Sequence, residues 1–417
     1  MQLTTLIIAI SVFLILTLIL VILLLYIKSK VTPSGTVKID INNGEKELEV
    51  TPGNSLLSTL SSEKIFLPSA CGGKGTCGMC KCQVISGGGS ILSTETGFFT
   101  RKQKNDNWRL GCQVKVKEDI GMLIPQSILG IKKMECEVIS NRNVATFIKE
   151  FIVKLPEGED LNFRAGGYVQ IDIPKCEIDF HDITVDEEYK ADWEKYGFFN
   201  LKMINKELTF RAYSMANHPA EGNIVMLNIR IATPPFDKVN GGLQKVNPGI
   251  SSSYIYSRKP GDKVTLSGPY GEFFMKDTDN EIIFVGGGAG MAPMRSHIFD
   301  LFKTKKTTRK VTFFYGSRSL KEAFYLEDFH EIEKEFPNFK FVLALDRKDP
   351  EADKAGVEYQ VGFVHQVAYN TYLKNHETPE DIEYYLCGPP MMTESVQKMC
   401  DDLGVPEENV MFDNFGA

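Results

Sequence analysis

The chain has 417 residues, which at roughly 150 residues per domain allows two to four domains, each with its own core. Its 24% charged and 43% hydrophobic residues are those of an ordinary globular protein and argue against wholesale disorder. A net charge of −7 argues against nucleic-acid binding, because phosphate contacts need clustered lysines and arginines. The cysteines number nine and four of them fall in one tight pattern, which favours a metal site over a disulfide framework.

The N-terminal stretch is almost wholly apolar, and residues 3–27 carry no charged side chain. About 20 such residues cross a bilayer core of about 30 Å as a helix, which predicts a transmembrane anchor over residues 1–30. A cleaved signal peptide would have a basic start and a small-residue cleavage site, and buried helices of soluble cores are rarely this long. Because Lys28 and Lys30 follow the span and no side-chain cation precedes it, the positive-inside rule predicts that the rest of the chain is cytoplasmic.

Residues 31–130 have the pattern of a small β-rich domain. Alternating segments on either side of the turn NNG, residues 42–44, predict a β-hairpin after a short linker. A short helix is predicted over residues 54–61, and a loop rich in glycine and cysteine follows. Strand patterns resume at KCQVIS and GCQVKV.

Four cysteines of this domain have a distinctive spacing. Five residues separate Cys71 from Cys77, two separate Cys77 from Cys80, and thirty-one separate Cys80 from Cys112. A [2Fe–2S] cluster needs four thiolates, and three from one glycine-rich loop can wrap it closely while backbone N–H groups approach its sulfurs. Zinc is the alternative, but structural zinc sites usually take two cysteine pairs. We predict a [2Fe–2S] cluster here, and we predict structural roles for the cysteines that lack partners in sequence: Cys82, Cys136, Cys176 and Cys400.

Residues 131–276 are dominated by short strand patterns such as TFIKEFIVKL, YVQIDIP, IVMLNIRIA and KVTLSGPY, with Gly and Pro between them. This pattern favours an antiparallel β-barrel. Within it, residues 175–207 are a polar, acidic insertion that also carries aromatic residues. The preferred interpretation of the insertion is a solvated surface loop, and a docking surface is the alternative.

Two short motifs of the barrel suit a flavin nucleotide. Arg211 can pair with a phosphate, Tyr213 can stack on the ring or the pyrophosphate region, and Ser214 can approach the ring edge. Further on, backbone and hydroxyl donors at a possible helix start suit a pyrophosphate, and they come from Gly249, Ser252 and Ser253. A strand tetrad such as RAYS is common, so its position before a glycine-rich strand–helix turn is what favours the flavin.

Residues 277–417 alternate strands and helices, which predicts a doubly wound parallel α/β sheet. Strand EIIFV runs into a glycine-rich turn ahead of a helix: Gly286, Gly287, Gly288, Ala289 and Gly290. Such glycines let the backbone approach a pyrophosphate, and the helix N-terminus supplies partial positive charge. The turn departs from the standard G-x-G-x-x-G pattern, so it is a weak signal by itself.

The choice between NADH and NADPH depends on the end of the second strand of this sheet, where a 2′-phosphate needs Arg or Lys. Arg318 supplies one cation there, but Glu322, Glu327 and Asp328 follow closely. We therefore predict NADH.

The cysteine stretch resembles the [2Fe–2S] ferredoxin family, with the C-x5-C-x2-C spacing of its vertebrate-type members, which implies a β-grasp-type domain. The later motifs resemble the ferredoxin–NADP reductase superfamily, whose R-x-Y-S and G-x-x-S motifs match RAYS and GISS. In that superfamily a C-G-P motif, matched by Cys387, Gly388 and Pro389, lies beside the nicotinamide. Without the resemblance, Cys387 would be a buried strand-end residue. Phe415 matches an aromatic residue stacked on the flavin, and the alternative for it is a frayed tail.

The order of all four segments resembles the sodium-translocating NADH:quinone oxidoreductase family, at its NADH-oxidising chain. The resemblance implies hydride transfer from NADH to FAD, with Ser214, Cys387 and Phe415 at the reacting rings. Single electrons would then pass to the cluster and on to other membrane subunits of a sodium-pumping complex, which reduce a quinone at the bacterial inner membrane. One alternative is a membrane-tethered NADH reductase that feeds an oxygenase. The other is an anchored ferredoxin-type carrier without enzymatic activity, which leaves residues 281–417 unexplained.

Overall fold

A computed structural model describes residues 2–31, 35–239 and 241–413 and divides the chain into two compact units, Met1–Ile131 and Lys132–Ala417. The first unit begins with helix α1, Gln2–Val31. Its segment Leu6–Leu24 has a mean hydropathy of 3.4, and none of it is buried inside the protein. Among the described residues, this one helix is thus long enough and apolar enough to cross a membrane.

The rest of the first unit is a five-stranded mixed sheet with short helices. Its elements are β1 Val37–Ile41, β2 Lys46–Val50, α2 Leu56–Ser62, β3 Lys81–Ser86, α3 Arg101–Asn105, β4 Trp108–Leu110, β5 Ile120–Leu123 and α4 Gln126–Leu129. The strand order is β2-β1-β5-β3-β4, in which β1 and β5 are parallel and the other neighbours antiparallel. The β1–β2 hairpin turns at Asn42 and Asn43, both at positive φ, so the predicted hairpin is present.

The second unit begins with an antiparallel barrel. Its elements are β6 Lys132–Ala145, β7 Ile148–Lys154, β8 Tyr168–Ile173, β9 Cys176–Asp179, α5 Glu187–Lys195, β10 Lys202–Asn205, β11 Thr209–Ser214, β12 Ile224–Arg230, α6 Ile250–Tyr256 and β13 Lys263–Tyr270. Six strands form one sheet in the order β11-β8-β13-β6-β7-β12. Met215, just after β11, bridges Leu227 of β12, so the first and last strands of the sheet meet.

The acidic insertion, residues 175–207, is a folded substructure, and the prediction of a solvated loop is wrong. Strands β9 and β10 pair with each other, and α5 lies between them in sequence. Trp193 of α5 is fully buried and stacks on Tyr256 of the barrel at 5.8 Å between ring centroids. Because Phe180 and Phe198 are buried in the same core, the insertion is an integral part of the barrel.

The second unit continues with a parallel sheet covered by helices, as predicted. Its elements are β14 Ile282–Gly287, α7 Met291–Phe299, β15 Val311–Ser317, α8 Leu326–Glu335, β16 Phe339–Leu345, α9 Pro350–Ala355, β17 Gln360–Val361, α10 Val364–Thr371, β18 Glu383–Cys387, α11 Pro390–Asp402 and β19 Val410–Asp413. The strand order is β17-β16-β15-β14-β18-β19. The order reverses at β14, and ligands of open α/β sheets bind at the carboxyl ends of strands beside such a switch point.

Candidate functional site

The β3–β4 ladder brings the distant fourth cysteine back to the cysteine loop. Cys80 immediately precedes β3, and Cys112 follows β4 by two residues. Because Lys81 pairs with Leu110 and the Gly111 N–H donates to the Cys80 carbonyl at 2.8 Å, the two thiols are neighbours. The other two ligand candidates also form a pair, with 3.4 Å between the sulfurs of Cys71 and Cys77.

Hydrogen-bond donors lower the pKa of one thiol in each pair, whereas the partner thiol and burial raise the pKa of Cys77 and Cys80. The Cys77 thiol and the backbone N–H groups of Thr76, Cys77 and Lys74 lower the pKa of Cys71 to about 3, against the effect of burial. The Cys80 thiol lowers the pKa of Cys112 to about 7, and the Gln113 side chain adds to this. Thiolates are the form of cysteine that binds metals.

The arrangement of the thiols fits a two-iron cluster. Two sulfur pairs offer two ligands to each of two irons, as a [2Fe–2S] cluster requires. Gly75, at φ +77°, permits the approach of Gln113, because a Cβ there would lie 2.5 Å from the Gln113 amide nitrogen.

Cys82 lies outside this ligand set. Its side chain is fully buried, and its thiol contacts the carbonyl of Arg109 at 3.9 Å. Burial raises the pKa of Cys82 to about 12, which makes it a protonated core residue. Cys136 and Cys400 are also buried.

The flavin motif lies at the end of β11, paired with β8. Burial raises the pKa of the Tyr213 hydroxyl to about 12, although a hydrogen bond with the Ser251 side chain lowers it. Because Ser251 belongs to the first turn of α6, this turn lies beside the motif strand. The Arg211 guanidinium donates to the Thr209 hydroxyl at 3.1 Å and to the Phe210 carbonyl at 2.6 Å. The structure thus brings both predicted flavin segments together on one side of the barrel.

The serines of the second flavin segment bond within the protein. The Ser252 and Ser253 hydroxyls donate to the Gly249 carbonyl at 3.3 and 2.7 Å, and Ser252 accepts from the Ala232 N–H at 3.1 Å. Gly249 is required for packing, because a Cβ there would lie 2.5 Å from the Cβ of Ala232. Backbone N–H groups of the first turn of α6 are therefore better donors to a phosphate than these hydroxyls.

Ser214 meets the parallel sheet through a residue that the sequence did not reveal. Its hydroxyl donates to the carboxylate of Asp413 at 2.7 Å, and Asp413 is paired with Cys387 across β18 and β19. Burial raises the pKa of the Cys387 thiol and of the Asp413 carboxyl group. The nearby Asp413 carboxylate raises the pKa of Cys387 further. The only sequence signal for Asp413 was its position two residues before Phe415, which lies outside the described residues.

The glycine-rich turn after β14 packs directly on the C-G-P segment. A Cβ on Gly290 would lie 2.1 Å from the Cys387 carbonyl oxygen, and a Cβ on Gly388 would lie 2.5 Å from the Met392 methyl group. Gly290 and Pro389 directly precede α7 and α11, respectively. Two helix N-termini and the Ser214–Asp413–Cys387 group therefore surround the same edge of the sheet, where a dinucleotide would bind.

The acidic residues after β15 have partners inside the protein. Glu322 accepts a hydrogen bond from the Thr146 hydroxyl, and Asp328 lies 3.5 Å from the guanidinium of Arg295. Arg318 and Glu327 are exposed. Of the carboxylates behind the NADH prediction, Glu322 thus contacts the barrel, whereas Asp328 pairs with α7 inside the nucleotide-binding domain.

Three family models match successive segments of the chain. The 2Fe-2S iron-sulfur cluster binding domain matches residues 39–117, the oxidoreductase FAD-binding domain matches residues 187–275, and the oxidoreductase NAD-binding domain matches residues 284–398. The cofactors predicted from the sequence, a [2Fe–2S] cluster, FAD and NADH, agree with these families.

Close relatives share one description, the F subunit of Na(+)-translocating NADH-quinone reductase. The relative from Marinomonas sp. (strain MWYL1) is 52% identical over 94% of this chain and 93% of its own length. The relative from Neisseria meningitidis serogroup C is 51% identical over 99% of this chain and all of its own length. That from Methylococcus capsulatus is 51% identical over 94% of both chains.

Solved structures share the fold at low sequence identity. The cytochrome P450 reductase of Amycolatopsis aligns with a TM-score of 0.61 and 22% identity over 91% of this chain and 99% of its own. The ferredoxin reductase in carbazole 1,9a-dioxygenase aligns with a TM-score of 0.57 and 24% identity over 91% and 98%. These likenesses show that the chain shares its fold with both reductases.

Proposed function

We propose residue roles along the electron path of this chain, which belongs to the family of the F subunit of the Na(+)-translocating NADH-quinone reductases. The chain is accordingly an oxidoreductase for the entry of electrons from NADH, with FAD and a [2Fe–2S] cluster as cofactors. We assign its parts to four segments: an anchor over residues 1–30, a ferredoxin domain over 31–130, a flavin barrel over 131–276 and a nucleotide domain over 277–417.

One observation supports the hydride-transfer site most directly, namely the contact between Ser214 of the barrel and Asp413 of the parallel sheet beside Cys387. FAD, when bound, supplies an acceptor for the hydride of NADH and a donor of single electrons. The role of Ser214 is to present its hydroxyl at the ring edge, with its proton held towards Asp413. Cys387 closes the nicotinamide side, and Phe415 is assigned to cover the flavin ring until the nicotinamide replaces it.

The body of FAD is assigned to the two barrel segments. Arg211 can turn from its local carbonyl to a phosphate, which is a stronger, charge-assisted partner. Tyr213 lines the same site. Of the second segment, Gly249, Ser252 and Ser253, the Gly249 and Ser253 N–H groups donate to the carbonyls of Ala232 and Gly249, so the Ser252 N–H in the first turn of α6 is the one assigned to the pyrophosphate. For NADH, the pyrophosphate is assigned to the turn at residues 286–290, and the nicotinamide to Cys387, Gly388 and Pro389.

The four thiols are assigned to the cluster as two pairs. Cys71 and Cys77 would hold one iron, and Cys80 and Cys112 the other. This division follows from the sulfur pairs seen in the structure and from the donors around Cys71 and Cys112.

The surroundings of the chain follow from α1 and from its relatives. The relatives are subunits of a multi-subunit enzyme, and α1 fits a membrane-anchored protein. We infer a single-pass protein of the bacterial inner membrane with its catalytic domains in the cytoplasm. Its electrons would go to other membrane subunits of the sodium-pumping complex and through them to a quinone.

The hydride-transfer assignment is tested with Ser214→Ala. Removal of the hydroxyl leaves the Asp413 carboxylate without its partner at the ring edge, so we expect flavin reduction by NADH to slow by about 10²-fold while FAD stays bound, a loss typical for one positioned group. Stopped-flow absorbance measures the rate. Ser395→Ala, which changes a half-buried serine of α11 that bonds only within its own helix, is the matched control. An unchanged rate in Ser214→Ala would exclude this role.

A further inference from the structure

Residues 318–325, between β15 and α8, form a loop that we call the ribose loop. In doubly wound sheets the end of the second strand meets the adenosine ribose of the coenzyme, and β15 is the neighbour of β14 on that side. Any role of this loop towards the coenzyme rests on the proposed NADH site at this edge. The cations of this loop are candidates for contact with the 2′-phosphate that distinguishes NADPH from NADH.

The ribose loop carries a lysine whose charge is neutralised by the acidic insertion. Lys321 Nζ lies 2.8 Å from the carboxylate of Asp192 and donates to the Glu188 carbonyl at 3.0 Å. The same ammonium lies 5.3 Å from the ring centroid of Tyr189. All three partners belong to α5, so one face of this helix holds Lys321 in place.

Further contacts fix the ribose loop on the barrel. The Thr146 hydroxyl donates to Glu322, and the Thr146 carbonyl accepts from the Trp193 indole at 2.8 Å. Trp193 is fully buried, so the insertion and the loop are joined through one rigid turn of the barrel.

The end of the loop is held just as firmly. Tyr325 has φ +63°, a backbone conformation that is unfavourable for a bulky residue and persists only where contacts impose it. Its hydroxyl donates to Glu150 at 2.7 Å and accepts from Asn228 at 2.9 Å, on β7 and β12. The position of Lys321 is therefore set from both ends of the loop.

A 2′-phosphate carries about two negative charges near neutral pH, so its recognition favours two cations. Arg318, exposed at the start of the ribose loop, is one. Lys321 is the second cation of the loop, and its charge is already balanced by Asp192. We propose that Asp192 of the insertion determines coenzyme specificity by holding Lys321 away from the ribose, so that NADPH finds one cation instead of two.

The test is the ratio of kcat/KM for NADPH to that for NADH in the full-length, FAD-loaded protein. In Asp192→Asn the amide no longer balances Lys321, which becomes available to a phosphate. We expect this ratio to rise about tenfold, the factor that one added charge-assisted hydrogen bond typically provides. Asp192→Ser is measured alongside, so that the result does not depend on one substitution.

A double variant separates this mechanism from a general loosening of the fold. Asp192→Asn combined with Lys321→Met removes the released cation and should return the ratio to that of the native protein. Lys190→Met is the matched control, since Lys190 pairs with the exposed Glu187 on the same helix instead of with the ribose loop. It should leave the ratio unchanged.

Binding without turnover gives an independent measurement. Calorimetry with adenosine 2′,5′-bisphosphate and with adenosine 5′-monophosphate should show tighter binding of the bisphosphate alone in Asp192→Asn. If both the coenzyme ratio and the bisphosphate affinity stay at native values, or if the double variant keeps the raised ratio, the proposal is wrong. A native protein that failed to oxidise NADH would instead overturn the proposed function.

Discussion

At the scale of single residues, the cysteine loop shows how a short segment holds several negative charges together. Three backbone N–H groups point at Cys71, and the side-chain amide of Gln113 reaches Cys112 at 3.7 Å. Such donors stabilise thiolates and, in iron–sulfur proteins, the negative charge of the cluster. Gly75 is thus part of the candidate cluster site, since a side chain there would displace the Gln113 amide.

The thiol pairs lead to a direct prediction. Cys112→Ala should abolish the EPR signal of the reduced [2Fe–2S] cluster, because one iron loses half of its protein ligands, while flavin absorbance stays unchanged. Cys71→Ala, Cys77→Ala and Cys80→Ala should behave alike. Cys82→Ala is the control and should keep both signals, because this thiol is buried beside Arg109. A normal EPR spectrum from Cys112→Ala would contradict the assignment.

At the scale of elements, the insertion shows where sequence interpretation failed. Its acidic residues suggested a solvated loop, yet Tyr189 and Trp193 are four residues apart and occupy the buried face of α5. This i, i+4 spacing is a helix signal, but in a nine-residue helix two aromatic residues among charged ones give a weak pattern. The packing of Trp193 on Tyr256 of the barrel is what distinguishes a folded segment from a solvated loop.

Helix α1 gives the prediction that belongs to this scale. Deletion of residues 1–30 should give a soluble chain that still reduces ferricyanide with NADH, because every cofactor motif lies after Lys28 and no residue of the span is buried in the protein. Detergent-free fractionation and an acceptor assay measure the two properties, with the full-length chain in the membrane pellet as reference. A truncated chain that bound neither flavin nor NADH would show that the segments are not separable.

At the scale of the whole molecule, a buried ion pair joins the flavin barrel to the nucleotide-binding sheet. Arg295 of α7 donates to both carboxylate oxygens of Glu221 at 2.7 and 2.8 Å and to the Ala216 carbonyl at 3.0 Å. The next residue, Ser296, donates to the Asn217 carbonyl at 2.8 Å. The turn after the flavin motif is therefore fixed to the helix that follows the glycine-rich turn.

Arg295→Met should destabilise this unit by roughly 3 kcal/mol, because it leaves a mostly buried carboxylate without its cation. Urea unfolding followed by FAD release measures the change. Lys303→Met, which breaks an exposed pair with Glu335, should cost less than about 1 kcal/mol. Equal unfolding midpoints for the two variants would show that the Arg295 pair is unimportant. Glu221→Gln in the Arg295→Met background should add little further loss, since the two residues act as a pair.

The sequence indicates candidate sites wherever the information is local, and the residue roles at those sites stay predictions. The three clustered cysteines, the RAYS tetrad and the turn at residues 286–290 were identified because their chemistry depends on spacing within a few residues. Asp413 was missed because its role depends on the pairing of β19 with β18 and on a barrel strand about two hundred residues earlier. Neither contact produces a periodic pattern in the sequence, so long-range contacts of this kind can be identified only from the structure.

The length of α1 has a consequence for how electrons leave the chain. Its thirty residues span about 45 Å at about 1.5 Å each, close to the full thickness of a bilayer with its headgroups. Six residue steps lead from Val31 to Val37, and a chain of that length reaches at most about 22 Å. With α1 in the membrane as proposed, the ferredoxin domain would stay in a thin layer at the membrane surface, where an acceptor in the same membrane would have an effective concentration on the order of millimolar. For the partner subunits proposed above, this confinement would reduce the contact area that electron delivery needs, because the anchor already supplies part of the association.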